Sequence, residues 1–123
     1  YVRSCLDALK LGGITGLAHI TGGGLIENPP RTFSSKLSAQ IDVKSWEIPA
    51  VYQWLIKTSR IESMELARTF NCGIGMIVIV KPDQADPVID MLRDNGENVF
   101  QIGHLKPRAP SEQSVILQNI DNW

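Results

Sequence analysis

Seven consecutive residues, Ile74–Val80, are apolar apart from Gly75. A run of that length without alternation reads as a strand covered on both faces. Such a strand requires a sheet with helices packed on it, and this requirement sets the fold class. The neighbouring segments supply the helices. Val2, Cys5, Leu6 and Leu9 recur at helical spacing, which predicts a helix to about Leu11, stopped by Gly12-Gly13. Pro49 suits a first helical turn, with Val51, Trp54, Leu55 and Thr58 behind it at helical spacing. Glu62–Phe70 predicts another helix with Leu66 and Phe70 on one face. Asp83 reads as the N-cap of a helix carrying Ala85, Val88, Ile89 and Leu92 and ended by Gly96. Further strands are expected at Ile14–Ile20, Ala39–Val43, Val99–Leu105 and Val115–Leu117. Leu25-Ile26-Glu27 starts a short helix that Pro29-Pro30 must end, and residues 31–38 read as a loop. The order predicts an α/β domain with a mixed sheet and helices packed on it.

The chain has 123 residues, so residues 1–123 are read as one domain. With 43% hydrophobic and 20% charged residues, it is neither a disordered tail nor a disulfide scaffold. A net charge of −1 announces no nucleic-acid or lipid partner. The longest purely apolar run, Met76–Val80, is too short to span a bilayer, which needs about 20 residues. Cys5 and Cys72 form no CxxC and no metal spacing with His19 or His104, so they read as reduced thiols in a cytoplasmic protein. No signal-peptide pattern opens the chain. It begins without Met, inside an amphipathic helix, and is expected to be a fragment of something longer.

Two segments are candidates for chemistry. The first is Ala18-His19-Ile20-Thr21-Gly22-Gly23-Gly24. Three glycines in a strand-to-helix connection leave backbone N–H groups unshielded, and a helix starting at Gly23 or Gly24 would add its dipole. That arrangement suits a phosphate or carboxylate. It is neither a Walker A loop nor GxGxxG, and it reads equally well as a tight turn with close strand–helix packing. If Gly23 needs no positive φ, an Asp there would oppose anion binding and spare the fold. His19 beside the loop is a residue type suited to phosphate contact or acid–base work, and also reads as a structural histidine. Asn28 and Arg31 follow closely, and Arg can pair with a phosphate bidentately. The second segment is Arg68-Thr69-Phe70-Asn71-Cys72-Gly73-Ile74-Gly75-Met76. Here a helix ends, the chain turns and a strand begins. Gly75 implies close approach of another group. His104 reads as structural, and Trp46, Trp54 and Trp123 as core or interface anchors. No acidic cluster suits a magnesium ion.

Together the two segments resemble the C-terminal domain of phosphoribosylformylglycinamidine cyclo-ligase, the AIR synthetase family. The resemblance rests on Ala18–Gly24, Glu27-Asn28, Arg31, Arg68–Gly73, Gly75-Met76, Gly96-Glu97, Phe100 and Ile102-Gly103. It covers nearly the whole chain and departs from the family's pattern at Pro29 and at Thr32–Ser35. The glycine triplet alone is shared with a wider ATP-dependent superfamily. The resemblance implies a three-layer α/β/α domain, partly ferredoxin-like. It implies ATP-driven ring closure of formylglycinamidine ribonucleotide to aminoimidazole ribonucleotide in purine biosynthesis. It also implies that ATP and Mg2+ are bound mostly by an N-terminal domain absent here, and that the full-length enzyme is a cytoplasmic homodimer. On this reading Thr21, Gly22, Gly23 and Gly24 hold the substrate phosphate, Asn28, Arg31 and Asn71 contact substrate, and His19 is the catalytic candidate. The fragment alone is expected to be inactive. Two other readings stay open: another enzyme of the superfamily, and a non-enzymatic domain that binds a phosphorylated effector.

Overall fold

A computed structural model describes residues 1–123. In chain order the elements are α1 (Val2–Leu9), β1 (Ile14–His19), α2 (Gly24–Glu27), β2 (Leu37–Asp42), α3 (Ala50–Ser59), α4 (Ser63–Thr69), β3 (Met76–Val80), α5 (Ala85–Asp94), β4 (Gly103–Pro107) and β5 (Val115–Gln118). Gly12 and Gly13 both take positive φ, +79° and +84°, and turn the chain from α1 into β1 as the paired glycines predict. Pro49 is the N-cap of α3, and Pro29 opens a 3-10 turn that stops α2 after one turn.

The strands divide into two sheets. β1 and β3 pair antiparallel, with His19 opposite Met76 and Ala18 opposite Ile77. The second sheet is mixed and ordered β4-β2-β5, with β2 antiparallel to β4 and parallel to β5. An α/β chain with a mixed sheet is therefore what the sequence folds into. The main core gathers Ala18, Leu25, Ile41, Val43, Leu66 and Val115 among its buried members, joining β1, α2, α4 and the mixed sheet. A smaller cluster packs Ala8 of α1 against Val88 and Leu92 of α5. No helix is long and apolar enough to cross a membrane.

Three local expectations are corrected. Every residue of β3 is only half-buried. Its apolar run has β1 on one edge and a cleft of about 870 Å³ beside it, lined by Tyr1, Cys5, Gly75 and the segment from Gly96 to Leu105 among others. The strand expected from Val99 starts only at Gly103. Residues before it are tied to α5 instead: Glu97 N–H donates to Leu92 O (3.1 Å), and the Arg93 guanidinium donates to Val99 O (3.2 Å). Asp83 does not cap α5. Pro82 begins a 3-10 turn over Pro82–Gln84, which moves the N-cap to Gln84.

Candidate functional site

The two motif segments meet twice. At the strand ends, His19 lies opposite Met76 and Ile20 N–H donates to Gly75 O at 2.9 Å. At the helices, α2 packs on α4. A Cβ built on Gly24 would overlap the carbonyl oxygen of Ala67 and come within 2.6 Å of that of Phe70. The C-terminal end of α4 and the glycine loop are therefore in direct backbone contact, which brings Asn71 alongside the loop.

The three glycines serve different purposes. Gly22 is exposed, has no positive φ and has open space where a side chain would go. Gly23 has φ +99°, and a Cβ there would sit 2.9 Å from Glu27 Cβ. Gly23 thus needs the positive φ that glycine supplies, and Gly22 is the position at which a side chain tests the loop without straining it. Gly24, φ +55°, allows the approach to α4. The N–H groups of Thr21, Gly22 and Gly23 donate to no group in the chain, whereas Gly24 N–H closes the turn onto Thr21 O at 3.0 Å. α2 is a single turn of four residues, so the expected helix dipole adds little, since the macrodipole is a sum over aligned peptides. The donors are the loop's own peptide groups.

Asn28 is buried. Its amide nitrogen donates to Thr21 O (3.2 Å), Gly22 O (3.2 Å) and Gly24 O (3.0 Å). Arg31 is exposed on the 3-10 turn after α2. Its side chain makes no hydrogen bond or ion pair within the chain, since the three ion pairs are Lys10–Asp7, Arg68–Glu65 and Lys106–Glu112. Asn71 Oδ1 accepts from Tyr52 Oη (3.1 Å) and from Gly73 N–H (2.9 Å), which fixes the turn after α4. His19 is exposed at the end of β1. Tyr1 approaches it edge-on with ring centroids 6.2 Å apart, and the Tyr1 phenol fills the space beside Gly75. Tyr1 is the group whose close approach Gly75 announced. Nothing in the sequence marked it, because it precedes the helical periodicity. No group of three or more His, Cys, Asp or Glu side chains is placed to hold a metal ion.

Cys72 is fully buried under this site. Its thiol contacts Leu66 O and Phe70 O at 3.7 Å, and Trp46 Nε1 donates to its carbonyl at 2.9 Å. Burial pushes the thiol pKa from 9.0 up to about 12. A raised pKa means that the fold disfavours the thiolate. This contribution to stability is complete below pH 9 and is lost as pH rises through about 12. Native chain is therefore expected to resist iodoacetamide at Cys72 at pH 8.5 and to react in denaturant, with its unfolding midpoint falling above pH 9. Mass-spectrometric mapping of the alkylated cysteine checks the first expectation, since the thiolate is the reactive form.

The chain is an α/β domain whose glycine loop packs on the end of α4, where the Arg68–Met76 turn begins. The description "AIR synthase related protein, C-terminal domain" matches residues 1–113, and the chain belongs to that family. Among similar proteins, a phosphoribosylformylglycinamidine cyclo-ligase of Neisseria meningitidis serogroup C / serotype 2a is 50% identical over 94% of this chain. One from Chromobacterium violaceum is 43% identical over 94%. The bifunctional purine biosynthetic protein purD of Dictyostelium discoideum is 46% identical over 93%. The chain spans 33% of the length of the two bacterial proteins and 14% of the Dictyostelium protein.

Proposed function

We propose that this chain is the substrate-phosphate-binding part of a phosphoribosylformylglycinamidine cyclo-ligase, which closes formylglycinamidine ribonucleotide to aminoimidazole ribonucleotide at the expense of ATP. The observation that carries this reading is the 50% identity over 94% of the chain to a protein of that name. The unpartnered N–H groups of Thr21, Gly22 and Gly23 support the binding role, since backbone donors held in a fixed loop bind phosphate oxygens without reorganising. Arg31, free of any partner in the chain, adds a positive charge that can close over the anion. The Asn71 amide nitrogen, which donates to nothing here, is available to the ribonucleotide. His19, exposed at the end of β1 two residues before Thr21, is the candidate to exchange a proton with the amidine.

These residues offer Mg2+, which prefers carboxylate oxygens, no group of three or more ligating side chains. ATP and Mg2+ belong, on this proposal, to the part of the larger protein outside this chain. The apolar stripe of α1, with Val2 76%, Leu6 54% and Leu9 42% exposed, supports docking of that part, in a cytoplasmic homodimer with the active site between domains.

The test is a titration of the chain with formylglycinamidine ribonucleotide and, separately, inorganic phosphate, followed by amide NMR. Shifts are expected at residues 21–23 with both ligands. Gly22→Asp places a negative carboxylate in the open space at the loop and is expected to abolish the shifts while amides of the mixed sheet stay in place. Adding ATP and Mg2+ is expected to yield no aminoimidazole ribonucleotide above background. Absent shifts in the unmutated chain would leave the loop as a tight turn only, and steady product would place the nucleotide site within these residues.

A further inference from the structure

We propose that Asn28 is the positioning residue of the glycine loop, turning its N–H groups outward by holding its carbonyls inward. This rests on the phosphate-cradle reading given above. The Asn28 amide nitrogen donates to Thr21 O, Gly22 O and Gly24 O, so its two hydrogens are shared among three carbonyls. A trans peptide is planar, with its C=O and N–H pointing in opposite directions. Drawing Thr21 O toward the buried Asn28 therefore aims the Gly22 N–H away from it, and drawing Gly22 O inward does the same for the Gly23 N–H. These are two of the N–H groups left without a partner. Glycine peptides flip readily because no Cβ resists rotation, so a Gly-Gly pair needs an external clamp to present both donors on one side. The close contact of Gly24 with the α4 carbonyls closes the opposite side to an anion. Asn28 thus acts through the loop backbone and need not touch the ligand.

The experiment measures residual dipolar couplings of the Gly22 and Gly23 N–H vectors in the unmutated chain and in Asn28→Ala, followed by a titration with inorganic phosphate. Both vectors are expected to reorient in Asn28→Ala while couplings in β2, β4 and β5 hold, and phosphate affinity is expected to fall at least tenfold. Unchanged couplings, or phosphate binding that is measurable and equally tight in the two proteins, would overturn the proposal. If the unmutated chain binds no phosphate but the vectors still reorient, the cradle reading falls and the positioning role stands. Should Asn28→Ala fail to fold, hydrogen exchange on the unmutated chain decides. Slow exchange of the Asn28 side-chain amide with fast exchange at Gly22 and Gly23 supports the clamp, and protected Gly22 and Gly23 amides overturn it.

Discussion

Gly24→Ala is expected to cost the chain a large share of its stability. Two effects add. The residue sits at φ +55°, where an L side chain costs about 1–2 kcal/mol. The new methyl would also overlap the carbonyl oxygen of Ala67 and crowd that of Phe70. Both are backbone atoms at the end of α4, so relief requires α2 and α4 to separate. Overpacking of this kind costs roughly 1–3 kcal/mol or more. The sum is a large share of a typical stability of about 5–15 kcal/mol. Far-ultraviolet circular dichroism melts of Gly24→Ala and Gly22→Ala check it. The Gly22 variant, with open space and ordinary φ, should melt within a degree or two of the unmutated chain, while Gly24→Ala should melt far lower or show no native baseline. Equal melting of the two would mean that α2 does not seat on α4 as described.

Leu66→Ala is expected to be the most damaging of the ordinary core truncations, at about 2–5 kcal/mol. Leu66 is fully buried on α4, which packs on α2, in the same core cluster as Leu25 and Cys72. A loss of 2 kcal/mol lowers the melting temperature of a domain this size by at least about 6 °C. The cavity also opens the floor beneath Cys72. Thiol alkylation below the melting temperature should accelerate in parallel with the loss of stability. A melt lowered by less than about 3 °C would show that the site repacks.

Much of this architecture was legible in the chain. Helical spacing and the glycine pair placed α1, and Pro49 placed the start of α3. Ile14–His19 and Val115–Gln118 fell where apolar runs predicted strands. The errors have a common origin: local pattern cannot tell which partner a segment will choose. Val99–Ile102 has strand-like residues, but Gly96 turns the chain so that its polar groups meet the end of α5 before any strand edge. β3 reads as doubly covered because all its residues are apolar, yet the sequence holds no information on how much surface its neighbours supply. At the site, the two motifs were visible as separate segments, and their contact was not. That contact depends on β1 pairing with β3 across about half the chain. The role of Asn28 was equally hidden, since a buried amide and an exposed one are spelled by the same letter. Gly23 and Gly22 are likewise identical in sequence, and only their φ values separate them.

The central position of β2 sets the order of events during synthesis. β1, β3 and the α1–α5 contact are all complete once residue 94 has emerged. β2 instead waits for β4 and then for β5, with Ala39 opposite Val115 in parallel register. Pairings so distant in sequence form slowly, because the intervening chain must first be gathered in. At roughly 5–20 residues per second, a ribosome takes several seconds to carry the chain from Asp42 to Gln118; both edges of β2 lack their partners until β4 has emerged, and the second edge lacks its partner until β5 follows. A nascent chain stalled before Val115 would expose a bare strand edge of the sort that recruits strands from other molecules. The codons that encode β5 therefore decide whether translation delivers a finished domain or a client for chaperones.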